Sequence, residues 1–282
     1  MLKKLTLTLV AASMLVLSTL PTPGFADNQI STTVDNGQLL NNRVLIPLRA
    51  VSQNFGATVE WNQEAKTVTI NKGDSKIMLP ANFKRAVVYS PSNDPSIKDV
   101  KRIDLDAPAQ IIQGTIFVPM RFVSQSLGAN VTWNQQTKQA TMTMNDKKIV
   151  VNMEQPTIKI PTSQILTDAR LKILSDKLNE VANLSSTKNL NSKYESYFTK
   201  RLINSLVKNK LQDKNRFEAP ITTAYYTSKT AASLSQSTII GNDMTGQENY
   251  VTDRSSNFVF IDGVWKVDEV SFTFRSIPNL GY

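Results

Sequence analysis

The chain has 282 residues, 20% of them charged, with 32 basic against 23 acidic side chains and neither cysteine nor histidine. That length suffices for one or two domains with cores of their own. The missing residue types exclude disulfide staples, Ser–His and Cys–His nucleophile systems, the usual general base at neutral pH, and zinc or copper sites of ordinary type.

The chain opens with Lys3 and Lys4, then an apolar run from Leu5 to Leu20, then Pro-Thr-Pro-Gly-Phe-Ala. Gly24 and Ala26 are small residues three and one positions before Asp27, so residues 1–26 are predicted to be a secretory signal peptide. No cysteine follows that could carry a lipid, and no later stretch is long and apolar enough to span a bilayer. A secreted or wall-associated bacterial protein is expected. Cleavage after Ala26 leaves 30 basic and 23 acidic residues, or +7. Such a surface favours anionic partners, among them cell-wall polymers and lipid headgroups. The basic residues read as scattered, without interleaved aromatics, which argues against nucleic acid.

Residues 27–153 read as one domain built from an internal duplication. Val34, Leu39 and Leu40 around Asn36-Gly37 predict a short strand and turn. Residues 44–70 (VLIPLRAVSQNFGATVEWNQEAKTVTI) return as 116–142 (IFVPMRFVSQSLGANVTWNQQTKQATM), ungapped, with 13 of 27 positions identical. Each copy predicts a strand, a short helix entered through Pro47 or Pro119, a left-handed helix stop at Gly56 or Gly128, and a hairpin. About 30 residues bury little apolar surface alone, so the copies are expected to share one α+β core. Between them, Ser75–Leu79 and Arg85–Tyr89 predict strands, and Tyr89–Asp99 a surface loop. A strand near Ile149–Val151 closes the domain.

Residues 154–162 carry two prolines and read as a linker. Beyond it, Gln164–Leu184 has helical apolar spacing with Thr162 or Ser163 as cap, and Leu190–Leu211 repeats the pattern. From Phe217 the period becomes that of strands: Ile221–Ser228, Ala232–Ile240, Glu248–Arg254, Asn257–Ile261, Val264–Val267 and Ser271–Phe274, with Asp262-Gly263 as a hairpin turn. Residues 163–282 are thus a second α+β domain, two helices followed by an antiparallel meander.

Few residues invite chemistry. Asp104 and Asp106 would share a face on a strand, as half of a carboxylate pair or a calcium site, or as two solvated acids. Arg49 and Arg121 occupy equivalent places at the two helix starts, either as a twin anion or partner contact or as stems packed on the sheet. Trp61 and Trp133 are carbohydrate platforms or packing residues, and Trp265 reads as core. Tyr225, Tyr226, Tyr250 and Phe258 are candidates to line a pocket between the second domain's sheet and helices.

The doubled V-P-x-R…G-A-x-V-x-W pattern resembles the copper amine oxidase N-terminal-like domain over residues 34–151. That resemblance implies the oxidase's outlying stalk rather than its catalytic part: a sheet wrapped on a helix, used as an extracellular module in Gram-positive, spore-forming bacteria. It implies no copper, no quinone and no oxidase activity. Pro80-Ala-Asn82 departs from the family's glycine-bearing turn, and 89–99 reads as extra length. Residues 163–275, through Tyr194–Leu206 and Asp262-Gly-Val-Trp-Lys-Val267, are similar to NTF2-like domains. The expected function is non-catalytic binding or scaffolding at the surface or wall, with no cofactor or metal and an anionic wall polymer or surface protein as partner. The alternatives are a small-ligand carrier or sensor and a carboxylate-based enzyme, both using the C-terminal pocket.

Overall fold

The computed structural model describes residues 30–40, 43–93, 98–154, 158–186, 188–218 and 224–281. The signal peptide expected over 1–26 lies outside them, as do residues 221–223 of the strand expected over Ile221–Ser228 and residues 94–97 of the expected loop. The class is mixed α+β, rich in strands.

The first copy runs β2 (Arg43–Pro47), α1 (Leu48–Asn54), β3 (Thr58–Asn62), β4 (Thr67–Lys72) and β5 (Ser75–Pro80), following β1 (Ile30–Leu40). The second runs β9 (Thr115–Pro119), α2 (Met120–Leu127), β10 (Asn130–Asn134), β11 (Gln139–Met144) and β12 (Lys147–Met153). Between them lie β6 (Arg85–Pro91), β7 (Lys98–Asp104) and β8 (Gln110–Ile112). Strands β3-β4-β5-β6-β7 form one sheet and β10-β11-β12-β1-β2-β9-β8 another. The two sheets and both helices enclose one apolar cluster, including Ile46, Val51, Phe55, Val118, Val123 and Leu127.

The copies meet along an approximate two-fold axis. Strands β2 and β9 pair antiparallel with Ile46 opposite Val118, Leu45 opposite Pro119 and Pro47 opposite Phe117. Ile46 and Val118 are the same position in the two copies. Each faces its own counterpart, as in a symmetric dimer fused into one chain.

The repeated residues have local work. Pro47 and Pro119 stand immediately before α1 and α2. Gly56 (φ 77°) and Gly128 (φ 76°) take the left-handed conformation after them. The indole N–H of Trp61 donates to Gln63 (2.7 Å) and that of Trp133 to Gln135 (2.8 Å). Asn62 and Asn134 accept turn N–H groups from Ala65 and Thr137. A Cβ at Gly128 would meet nothing within 4 Å. Gly128→Ala is therefore expected to cost only the left-handed backbone term, about 1–2 kcal/mol in urea unfolding, and Gly56→Ala the same.

Several expectations need correction. Asn36-Gly37 is not a turn. Strand β1 continues through it, changing register between Val34 and Gly37. Through Gly37 β1 pairs parallel with β12, and from Gln38 onward antiparallel with β2. Asn36 takes φ 68°, and a Cβ on Gly37 would collide with Met153 and Val151. Of the loop expected over 89–99, Tyr89–Pro91 and Lys98–Asp99 are instead paired strand residues of β6 and β7, and 94–97 lie outside the described residues. At the departure from the family turn, Asn82 supplies the left-handed conformation (φ 69°) that glycine would give.

Past the linker stretch, Thr162–Gln164 is a 3-10 turn rather than the start of a helix. Helix α3 (Asp168–Ala182) begins at Thr167, whose side chain accepts from the Arg170 N–H. The helix expected over 190–211 is two: α4 (Leu190–Tyr194) and α5 (Lys200–Lys208). The break serves the sheet, because the Thr199 N–H donates to Val267 and the Val267 N–H to Tyr197. The meander is β13 (Tyr225–Ser228), β14 (Ala231–Asn242), β15 (Glu248–Ile261) and β16 (Val264–Pro278). The four strands expected over 248–274 are thus two long ones, sharing a register shift at Asn257/Phe258. Asp262-Gly263 makes the turn between them, both with positive φ.

The five-stranded sheet docks on this meander. Phe83 and Val87 bury against Val251, Ile277 and Leu280. Arg275, 3% exposed, bridges to Asp253 (2.9 Å) and donates to the carbonyls of Ala65 (2.6 Å) and Ala81 (2.9 Å). Lys66 reaches the same Asp253 carboxylate at 2.8 Å. Asn82 donates to Ser235 and Ser237, and Arg85 and Arg102 hold the Leu280 carbonyl.

Candidate functional site

A cleft of about 990 Å³ lies where the duplicated module, the segment after it and β13 converge. Its apolar wall includes Leu39, Ile112, Phe117, Ile160 and Ile165, and its polar groups include Asp35, Lys138, Glu154 and Lys159. Tyr225 and Tyr226 line it. The Tyr225 hydroxyl accepts from the Gln113 amide across the junction, and the Tyr226 hydroxyl accepts from the Leu166 N–H at 2.7 Å. The two carboxylates are already engaged: Glu154 by the Gln38 amide (2.6 Å) and Asp35 by the Asn152 amide (2.8 Å).

Tyr250 and Phe258 do not reach this cleft. Phe258 is 3% exposed in the apolar core beneath the helices, and Tyr250 packs on Phe274 with ring centroids 5.8 Å apart. Trp265 is core, with its indole N–H on the Gln164 carbonyl and its ring edge-on to Tyr226.

Between α3 and the sheet sits Arg254, 1% exposed. Its guanidinium donates to Asn179 (2.9 Å), Ser175 (2.7 Å) and Gln236 (2.8 Å) and stacks on Phe217 at 4.4 Å. All these partners are neutral, and Nε has none among the described residues. Burial lowers its pKa to about 10, against the weaker pull of Asp213 and Asp176. Sequence reasoning missed Arg254, because nothing in Thr-Asp-Arg-Ser marks one strand residue as facing the interior.

The remaining candidates are dispersed. Arg49 and Arg121 are exposed on the first turns of α1 and α2, rather than packed along the sheet. Arg121 approaches Asp106 at 3.8 Å. Asp104 ends β7 and pairs with Arg85 at 2.6 Å, whereas Asp106 lies beyond the strand, so the two carboxylates form no shared site. On α3, hydrogen bonds from Lys177 and Lys193, with a smaller one from Tyr194, hold Glu180 down at about 2.

A duplicated, strand-rich module joined to a helix-on-sheet body, with a cleft at the junction, is the class these observations define. Residues 26–99 and 97–178 each match the Copper amine oxidase N-terminal domain. The matches cover more than half of the chain, which belongs to that family. They contain the whole of the 34–151 resemblance and continue into α3. A relative described as "Protease inhibitor", from Brevibacillus choshinensis, is 36% identical over 97 residues, 34% of this chain and 26% of its own length. The match thus spans about a quarter of that relative.

The copper in the family's name does not fit these residues. Copper sites of ordinary type are built around imidazole and thiolate donors, and the chain has no histidine or cysteine, so methionine thioethers are its only soft ligands. Among the described residues no three carboxylates gather either.

Proposed function

We propose that this is an exported binding or scaffolding module of the bacterial surface or wall, without catalysis of its own, that contacts an anionic wall polymer. The observation carrying the reading is what the repeated residues do. Pro, Gly, Trp, Asn and Gln of both copies serve helix starts, helix stops and turns, and the cleft carboxylates are tied to amides. Family membership and a relative named as an inhibitor favour binding over reaction. The leader-like residues 1–26 support export, and the +7 surplus supports an anionic partner. The helices α3–α5 on a four-stranded meander support an NTF2-like reading of residues 163–282. Residues 27–282, mixed with purified Gram-positive walls and washed through a salt series, should be retained at low salt and released as salt rises. Absent or salt-insensitive retention would overturn the electrostatic reading.

The junction cleft favours a second reading, a carrier or sensor for a small, largely apolar ligand. Native mass spectrometry of protein from its own host tests it: a retained mass supports the carrier, and a bare chain counts against it.

A further inference from the structure

Residues 200–216 (KRLINSLVKNKLQDKNR) hold six basic side chains and one acidic, or +5 of the +7 carried by residues 27–282. The positive surplus is therefore concentrated, not scattered as the sequence reading expects. The strip comprises α5 and the chain that follows it. On α3 and α4 of this body, by contrast, Lys172 pairs with Asp176 (2.7 Å), and Lys177 and Lys193 pair with Glu180 (2.6 and 2.7 Å). Along the strip, Arg201 alone has carboxylate partners among the described residues, Asp268 (2.9 Å) and Glu269 (3.5 Å). Lys200, Lys208, Lys214 and Arg216 are exposed and enter no ion pair there. The helix dipole accounts for a cation at Lys208, in the last turn, but not for those beyond it.

The strip is also held in place. Lys210 donates to the Ser185 carbonyl (3.1 Å), and the Asn183 amide donates to the Lys214 carbonyl (3.3 Å), which pins the chain after α5 to the end of α3. Like charges carried on one short anchored segment repel one another until an anion lies along them. Between the cations stand exposed Asn204, Ser205, Asn209, Gln212 and Asn215, hydrogen-bonding groups suited to hydroxyls. The large apolar side chain exposed in the strip is Val207, and the nearest aromatic, Phe217, is 1% exposed. A bilayer would call for an apolar wedge and a nucleic acid for stacking rings.

We propose that residues 200–216 are the docking strip for a flexible phosphodiester polymer with a hydroxylated repeat, a polyol phosphate. This rests on the anion-binding reading above and gives it an address. The test titrates labelled poly(glycerol phosphate) into residues 27–282 across a salt series. The strip variant is Lys200→Gln/Lys208→Gln/Lys214→Gln/Arg216→Gln. Its control, Arg43→Gln/Lys76→Gln/Lys98→Gln/Lys101→Gln, removes the same charge from exposed sites on the duplicated module. The strip variant should bind at least about ten-fold more weakly and flatten the slope of log K against log salt by about 3, while the control stays close to the parent. The double variant Lys208→Gln/Lys214→Gln should fall between. Equal losses in both quadruple variants, or none in the strip variant, would overturn the address while leaving anion binding intact. Tighter binding to phosphatidylglycerol vesicles or single-stranded DNA would overturn the polymer. A parent protein that ignores the polymer would sink both readings.

Discussion

Arg275→Ala is expected to lower the unfolding free energy by about 3–5 kcal/mol, measured by urea denaturation, because it leaves the buried Asp253 carboxylate with only the partly exposed Lys66 as a cationic partner. Arg275 and Asp253 are 3% and 1% exposed. The guanidinium also supplies the donors for the Ala65 and Ala81 carbonyls, which no side chain of alanine's size can replace. Asp253→Leu/Arg275→Met should recover part of the loss, since it removes both charges but leaves those carbonyls without their donor. A loss below about 1 kcal/mol for Arg275→Ala would contradict the account.

The same cluster sets a pH response. Burial alone would push the Asp253 carboxyl up. The Arg275 charge and the hydrogen bonds from Arg275, Lys66 and Ser237 outweigh it and hold the carboxyl below its usual value. A depressed native value means the stabilisation is complete above the unfolded aspartate value of about 3.9 and fades as pH falls below it. Parent protein should therefore lose stability under acid more steeply than the double variant. Parallel pH profiles would refute the linkage.

Ile46→Ala is expected to cost about 2–5 kcal/mol, because Ile46 is fully buried at the seam between the copies. The informative partner is the exchange Ile46→Val/Val118→Ile. These residues face each other across the two-fold, so the exchange moves a methylene across the seam without changing its volume. It should cost less than about 1.5 kcal/mol in the same denaturation experiment. A cost near that of Ile46→Ala would mean the two sides of the seam are not equivalent.

The duplicated module was legible because its signals are local. Proline, glycine and the Trp-Asn-Gln run each fix a helix entry, a helix stop or a turn within a few residues of themselves. Interpretation failed where a long-range partner decided the local structure. Asn36-Gly37 reads as a turn, but β12 draws the chain onward and makes it a bulge. Residues 190–211 have unbroken helical spacing, but backbone bonds to Val267 interrupt the helix at 195–199. The Lys66–Asp253–Arg275 cluster joins residues up to 209 positions apart through strands whose alternation assigns no partner. Of the pocket candidates, Tyr225 and Tyr226 line a cleft, but at a junction that no local pattern announces.

The divided pairing of β1 also bears on the order of folding. Gln38 finds its partner Leu45 seven residues away, whereas Ile30 pairs with Lys147, 117 residues away. Closing so long a loop comes late in folding, since its entropy is lost before the contact stabilises anything. The amino end of β1 is thus among the first parts of the module to be synthesised and among the last to be secured. Until β12 exists, the seven-stranded sheet has a gap at its middle, and a chain emerging in order stays unfinished and threadable until both copies have been made.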